Sequence, residues 1–112
     1  MKLITSIVRP DKVDAVKSAL AAVHVSTMTI RELHDHGPQR HDRAVWRGRE
    51  FNVGFSLKME IALVVHDDDV DQVVEAILRT ARTGAVGDGH VAVAPIDHRY
   101  NIRTGARDVS DG

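Results

Sequence analysis

Residues 82 to 89 read Arg82-Thr83-Gly84-Ala85-Val86-Gly87-Asp88-Gly89, and Arg103-Thr104-Gly105 repeats the opening tripeptide near the C-terminus. Three glycines fall within six positions. Glycine lacks a Cβ and reaches positive φ without strain, so such a backbone can approach a ligand closely. Consecutive backbone N–H groups in a loop of this kind form a concave anion site. Flanking arginines neutralise phosphate through paired donors. The chemistry indicated is anion recognition, phosphate above all. By itself a Gly-Asp-Gly loop reads equally well as a plain turn.

A second group is His34, His36 and His41, with Asp35 and Asp42 among them. Imidazole and carboxylate suit Zn, Ni or Cu, and residues two apart on a strand share a face. The His-x-His-x4-His spacing is not a strong metal signature. A solvated polar loop is the plainer reading, so no metal site is assigned. His24, His66 and His98 are scattered and expected to be exposed. Ser and Thr residues stand apart from any His-Asp pairing and there is no cysteine. No nucleophile–base pair is visible, and catalysis is not expected.

The elements that must position these residues emerge from periodicity. A chain of 112 residues is one domain, 1–112. At 43% hydrophobic and 28% charged it is an ordinary soluble composition. Lys plus Arg (15) nearly balance Asp plus Glu (16), which argues against a nucleic-acid binder. No apolar run reaches membrane length, and a cytoplasmic protein is expected.

Residues 2 to 9 are apolar on both faces, as in a central strand. Pro10 starts a helix whose buried face carries Val13, Val16, Leu20 and Val23. A second strand is expected from about Thr27 to His34. Periodicity then stops from about 36 to 54, a length usually functional or disordered. Leu57, Met59, Ile61, Leu63 and Val65 alternate along the clearest strand. Asp67-Asp68-Asp69 supplies an N-cap to a helix burying Val70, Val73, Val74, Ile77 and Leu78. His90 to Ala94 form the last strand. The tail, about 96–112, is polar and expected to be partly mobile. The order predicts an α+β, ferredoxin-like βαββαβ fold with one antiparallel sheet and a long loop between strands 2 and 3. Both helices cover one sheet face, and the uncovered, partly apolar face suggests oligomerisation.

Several segments together resemble the P-II nitrogen-regulatory signalling proteins from end to end. They are Met1-Lys2-Leu3-Ile4 with Arg9-Pro10, Met28-Thr29, Trp46-Arg47-Gly48-Arg49-Glu50-Phe51, Val70 through Ile77, Arg82 through Gly89, and Ile102-Arg103-Thr104-Gly105. Order, spacing and length fit without gaps. The resemblance implies a homotrimer with sheets facing inward and ATP or ADP in clefts between subunits. Gly87, Asp88 and Gly89 then match the phosphate cradle, with His90 and Arg103 at its cationic positions. Thr29 and Val64 match positions lining the base site. Gln39 and Lys58, with Arg9 adding charge, match positions that hold 2-oxoglutarate alongside Mg2+ and ATP. The segment 36–54 matches the effector arm, the T-loop, where Trp46, Arg47, Arg49 and Phe51 meet a partner and Arg47 reaches into it. Such partners are ammonium channels or enzymes of nitrogen metabolism, so a membrane is approached only through a partner channel. No nucleic acid is implied.

The departures carry their own expectations. The family usually has Arg at 38, Glu at 62, Lys at 90 and Arg at 101; this chain has Pro38, Ala62, His90 and Asn101. A charge-assisted phosphate contact is worth roughly 1.5–3 kcal/mol, so these changes are expected to weaken ATP binding. Ala62 also alters the base site, and His41 stands where glycine is frequent. Phe51 has no hydroxyl for the nucleotidylation that a tyrosine there receives in relatives, and Arg49 replaces a phosphorylated serine. Control is therefore expected to come from ligands. The alternative function is a divergent sensor of another small ligand or a metal ion. A purely structural trimer of the same fold is disfavoured by the long loop and the 82–89 motif.

Overall fold

The computed structural model describes residues 1–35, 43–46, 49–52 and 56–108. Strand β1 (Lys2–Val8) is followed by helix α1 (Val13–Ala22), β2 (Thr29–Asp35), a short pair β3 (Arg43–Trp46) and β4 (Arg49–Asn52), β5 (Ser56–Val65), α2 (Val70–Ala81) and β6 (His90–Pro95). The main sheet has the order β2-β5-β1-β6, with every neighbouring pair antiparallel. This is the ferredoxin-like arrangement, with β1 and β5 central.

The centre of the sheet explains the sequence of β1. Ile4, Ser6 and Val8 are buried and face the helices. Ser6 donates its hydroxyl to the Ile61 carbonyl at 3.2 Å, which satisfies a buried polar group. Across the sheet, Ile61, Leu63 and Val65 meet Val16 and Leu20 of α1 and Val73 and Ile77 of α2 in one core. On the opposite face, Leu3, Thr5 and Ile7 of β1 pair with Val64, Ala62 and Glu60 of β5 and with Ala94, Ala92 and His90 of β6. Neither α1 nor α2 covers that face.

Details differ from expectation in instructive ways. Pro10–Lys12 form a 3-10 turn before α1 begins at Val13. The helix closes in a Schellman motif, with Val25 N–H on the Leu20 carbonyl (2.9 Å) and His24 N–H on that of Ala21 (3.0 Å). His24, at φ 66°, takes the left-handed position that glycine usually fills. Asp67–Asp69 is likewise a 3-10 turn, and Asp69 caps α2 with no side-chain hydrogen bond. Asp67 instead pairs with the N-terminal ammonium at 2.6 Å, which holds its carboxyl below the usual range. The three aspartates still place negative charge at the helix N-terminus. Leu78, expected to be buried, is 42% exposed, because the stripe of α2 runs through Val73, Ala76, Ile77 and Ala81.

Within the stretch expected to be irregular, β3 and β4 pair in the register Trp46 with Arg49 through Arg43 with Asn52. A ladder of backbone bonds imposes no hydropathy period of its own. The tail also has shape: Tyr100 bridges Arg107, and the Arg99 guanidinium pairs with Asp108 at 3.1 Å.

Candidate functional site: a braced glycine loop at one end of the sheet

The loop begins where α2 stops, at Arg82, whose backbone turns to φ −73°, ψ 130°. Asp88 organises the residues from Thr83 onward. Its Oδ2 accepts the backbone N–H groups of Thr83 and Gly84, each at 2.9 Å. Its Oδ1 accepts the Thr83 hydroxyl and, at 3.0 Å, Arg9 Nε. The Thr83 donors and then the Arg9 guanidinium hold this carboxyl far below the usual carboxylate range. Thr83 Oγ1 in turn accepts Ala85 N–H at 3.2 Å.

Two cations rise under the loop from the sheet. Val8 pairs with Met59, so Arg9, just past the end of β1, is a neighbour of Lys58 on β5. Arg9 Nη2 donates to the Val86 carbonyl at 2.9 Å, and Lys58 Nζ to the Gly87 carbonyl at 2.6 Å. The glycines are required by geometry at two points. Gly87 has φ 100°, and a Cβ there would stand 3.4 Å from Arg9 Nη2. Gly89 has φ 95°, and a Cβ there would lie 1.7 Å from the Ile7 carbonyl oxygen, which is overlap. On the helix side, Val8, Ile77, Leu78, Arg82 and His90 line a cleft of about 160 Å³ beside the loop.

The expected site residues thus separate into groups. Arg9, Lys58, Gly87, Asp88 and Gly89 come together, with His90 exposed at the start of β6. Thr29 and Val64 lie elsewhere, with Leu3, Met28, Ala62 and Arg99 around a pocket of about 290 Å³. Lys58 and Val64 lie six residues apart on β5, about 20 Å at strand rise. Between them Glu60 binds Arg31 through two hydrogen bonds of 2.7 and 3.3 Å. Arg103 sits in a third place, exposed, and without a hydrogen bond or ion pair among the described residues. Gln39 and Arg47 lie outside the described residues, as do Pro38, His36 and His41. Trp46 and Arg49 are paired on the β3–β4 hairpin, and Phe51 pairs with Ala44. His34 is on β2. No cluster of three metal-ligating side chains occurs among the described residues.

Two roles were missed in sequence. Asp88 is an internal organiser of the loop. The Thr-Gly pair five and four residues before it was the available signal, because short polar side chains close turns on backbone N–H groups. Asn101 also builds a turn: its Oδ1 accepts Thr104 N–H at 3.2 Å and its carbonyl accepts Gly105 N–H at 2.7 Å.

Fold and loop together define an α+β domain of ferredoxin-like topology with a braced glycine loop at one sheet end. Residues 1–106 match the family described as nitrogen regulatory protein P-II. The chain is 43% identical over 108 residues to nitrogen regulatory protein P-II 1 of Escherichia coli (strain K12), with 96% of each chain covered. Against nitrogen regulatory protein P-II of Rhizobium etli the identity is 40% over 108 residues, and against that of Nostoc punctiforme 39% over 107, again with 96% of each chain covered. The chain belongs to the P-II family.

Proposed function

We propose that the chain is a signal transduction protein that senses an adenine nucleotide, ATP or ADP, at clefts between copies in a homotrimer. In this reading it regulates a nitrogen-metabolism enzyme or an ammonium channel through the 36–54 segment. It works by binding, not catalysis, and in the cytoplasm. No helix among the described residues is long and apolar enough to cross a membrane.

The observation that carries the reading is the separation of the two half-sites. The loop with Arg9 and Lys58 offers charge and glycine backbone suited to phosphate, and the Thr29–Val64 pocket offers apolar walls with two threonines and Arg99. About 20 Å of strand divides them, so one ligand meets both when a second copy brings its pocket to the first copy's loop. The uncovered sheet face, with Leu3, Ile7, Ala62 and Val64, gives the copies an apolar surface to share. Arg103, on its exposed turn, is the cation available to a neighbouring copy. Lys58 and Arg9, with Gln39, would hold 2-oxoglutarate near Mg2+ and the nucleotide. Ligand occupancy then shifts the populations of the 36–54 segment, whose flanks are β2 and β5.

A second reading, a divergent sensor of another small ligand or a metal ion, is favoured by Ala62 and Asn101. The pocket has no carboxylate at 62, and residue 101 shapes a turn instead of offering a charge.

Calorimetric titration with ATP, ADP and AMP, with and without Mg2+ and 2-oxoglutarate, separates the two, with sedimentation equilibrium giving the assembly state. A trimer binding ATP or ADP is the expected result. A trimer silent to every adenine nucleotide would favour the second reading, and a monomer that binds nucleotide would remove the intersubunit cleft.

A further inference from the structure

We propose that Lys58 is a releasable latch, and Arg9 a fixed brace, that together hold the glycine loop against the end of the sheet. An anionic group that binds Lys58 at this end then displaces the Gly87 carbonyl from it. The inference deepens the reading above and rests on it only for the identity of the anion.

The two cations are engaged unequally. Arg9 uses two edges of a rigid fork, Nε on Asp88 at 3.0 Å and Nη2 on the Val86 carbonyl at 2.9 Å. Its carboxylate partner is itself fixed by Thr83 and Gly84. Removing Arg9 from the loop therefore dismantles a network. Lys58 has one loop contact, the Gly87 carbonyl at 2.6 Å, on a flexible four-carbon stem. Letting go costs one hydrogen bond and leaves Asp88 and its partners in place.

The latch is shut in a steric sense too. A methyl-sized group on Gly87 would already stand 3.4 Å from Arg9 Nη2 and 3.5 Å from Lys58 Nζ. The loop carbonyls lie against both cations, so an anion that takes the Lys58 donor used by Gly87 competes with that carbonyl for it. Positive φ at Gly84, Gly87 and Gly89 gives the segment hinges at both ends and at the latch point. The Gly87 carbonyl and the Asp88 N–H belong to one peptide unit. Turning that carbonyl away from Lys58 presents the N–H instead, which converts a face that binds cations into one that binds anions.

The test is residue-resolved backbone order from NMR relaxation on the full chain, comparing wild type with Lys58→Met, Lys58→Arg and Arg9→Met. In Lys58→Met the N–H order parameters of Gly87, Asp88 and Gly89 are expected to fall from about 0.85 to below about 0.6. Those of Thr83 and Gly84 should stay near the rigid value because Asp88 still holds them. Lys58→Arg should retain the order of the tip, and Arg9→Met should loosen both groups. An unchanged tip in Lys58→Met, or identical patterns in Lys58→Met and Arg9→Met, would overturn the latch. Titrating 2-oxoglutarate in the presence of Mg2+ and ATP, against Mg2+ and ATP alone, and inorganic phosphate separately tells carboxylate from phosphate. One or both should move the Gly87 and Asp88 signals in wild type but not in Lys58→Met; no movement in wild type with either overturns the displacement step. ATP-dependent shifts at Thr29 and Val64 report the nucleotide reading independently, so either can fail alone.

Discussion

In Arg82-Thr83-Gly84 the threonine hydroxyl accepts the Ala85 N–H at 3.2 Å, and in Arg103-Thr104-Gly105 it accepts the Ala106 N–H at 3.1 Å. Both glycines have positive φ, 89° and 71°. The same tripeptide has built the same small turn twice. What differs is the side chain that closes each turn. Asp88 closes the first and brings a charge, which Arg9 answers from the sheet. Asn101 closes the second and brings none, so nothing ties that turn to a counter-charge. The first turn becomes part of the sheet's polar end. The second stands away from the body, with Ile102 fully exposed and Arg103 unpaired among the described residues. The closing group, a charged Asp88 that follows its turn against a neutral Asn101 that precedes its own, thus separates a turn tied to the sheet from an exposed one.

The comparison is most easily broken at the glycines. Gly89→Ala forces a Cβ into the Ile7 carbonyl at positive φ and is expected to destabilise by about 3 kcal/mol or more in urea unfolding. Asp88→Asn removes the charge that recruits Arg9, and should lower the melting temperature and raise exchange at Thr83 and Gly84. Its pH dependence has a definite sign. The folded pKa of Asp88 lies below its ordinary 3.8, so its contribution is complete above about pH 5 and is lost as pH falls below that ordinary value. The stability gap between wild type and Asp88→Asn should accordingly close in acid; a gap that persists unchanged would contradict the Arg9–Asp88 account. Gly105→Ala meets nothing within 4 Å and pays only for its dihedral, about 1 kcal/mol. Asn101→Ala should be smallest, under about 1 kcal/mol, with the 82–89 amide signals unmoved.

Much of this was legible in the chain. The alternation from Leu57 to Val65 and the stripe from Val73 to Ile77 named a strand and a helix because each has one buried face. Arg9 and Lys58 were grouped by the resemblance with Gln39, apart from the Gly-Asp-Gly run that the structure sets beside them. The unreadable parts share a cause: they depend on which partner a polar group chooses. Asp67 looked like a helix cap, yet the nearby ammonium at 2.6 Å is a stronger partner than a backbone N–H. Asp88 looked like a ligand contact, yet its own loop supplies its donors. Asn101 looked like an absent arginine, although asparagine has its own turn-forming chemistry. The β3–β4 pair left only a faint mark, Val45, Trp46 and Phe51 flanking Gly48, because a ladder of backbone bonds imposes no hydropathy period of its own.

The separation of the Lys58 end of β5 from the Val64 pocket has an arithmetic consequence for the proposed trimer. In such a closed ring each loop would meet the pocket of the next copy, a head-to-tail contact. Complete sites would then equal chains in number, and an isolated chain would have none. Dilution would therefore delete sites rather than weaken them, so receptor count, and not affinity, would track the protein's own concentration.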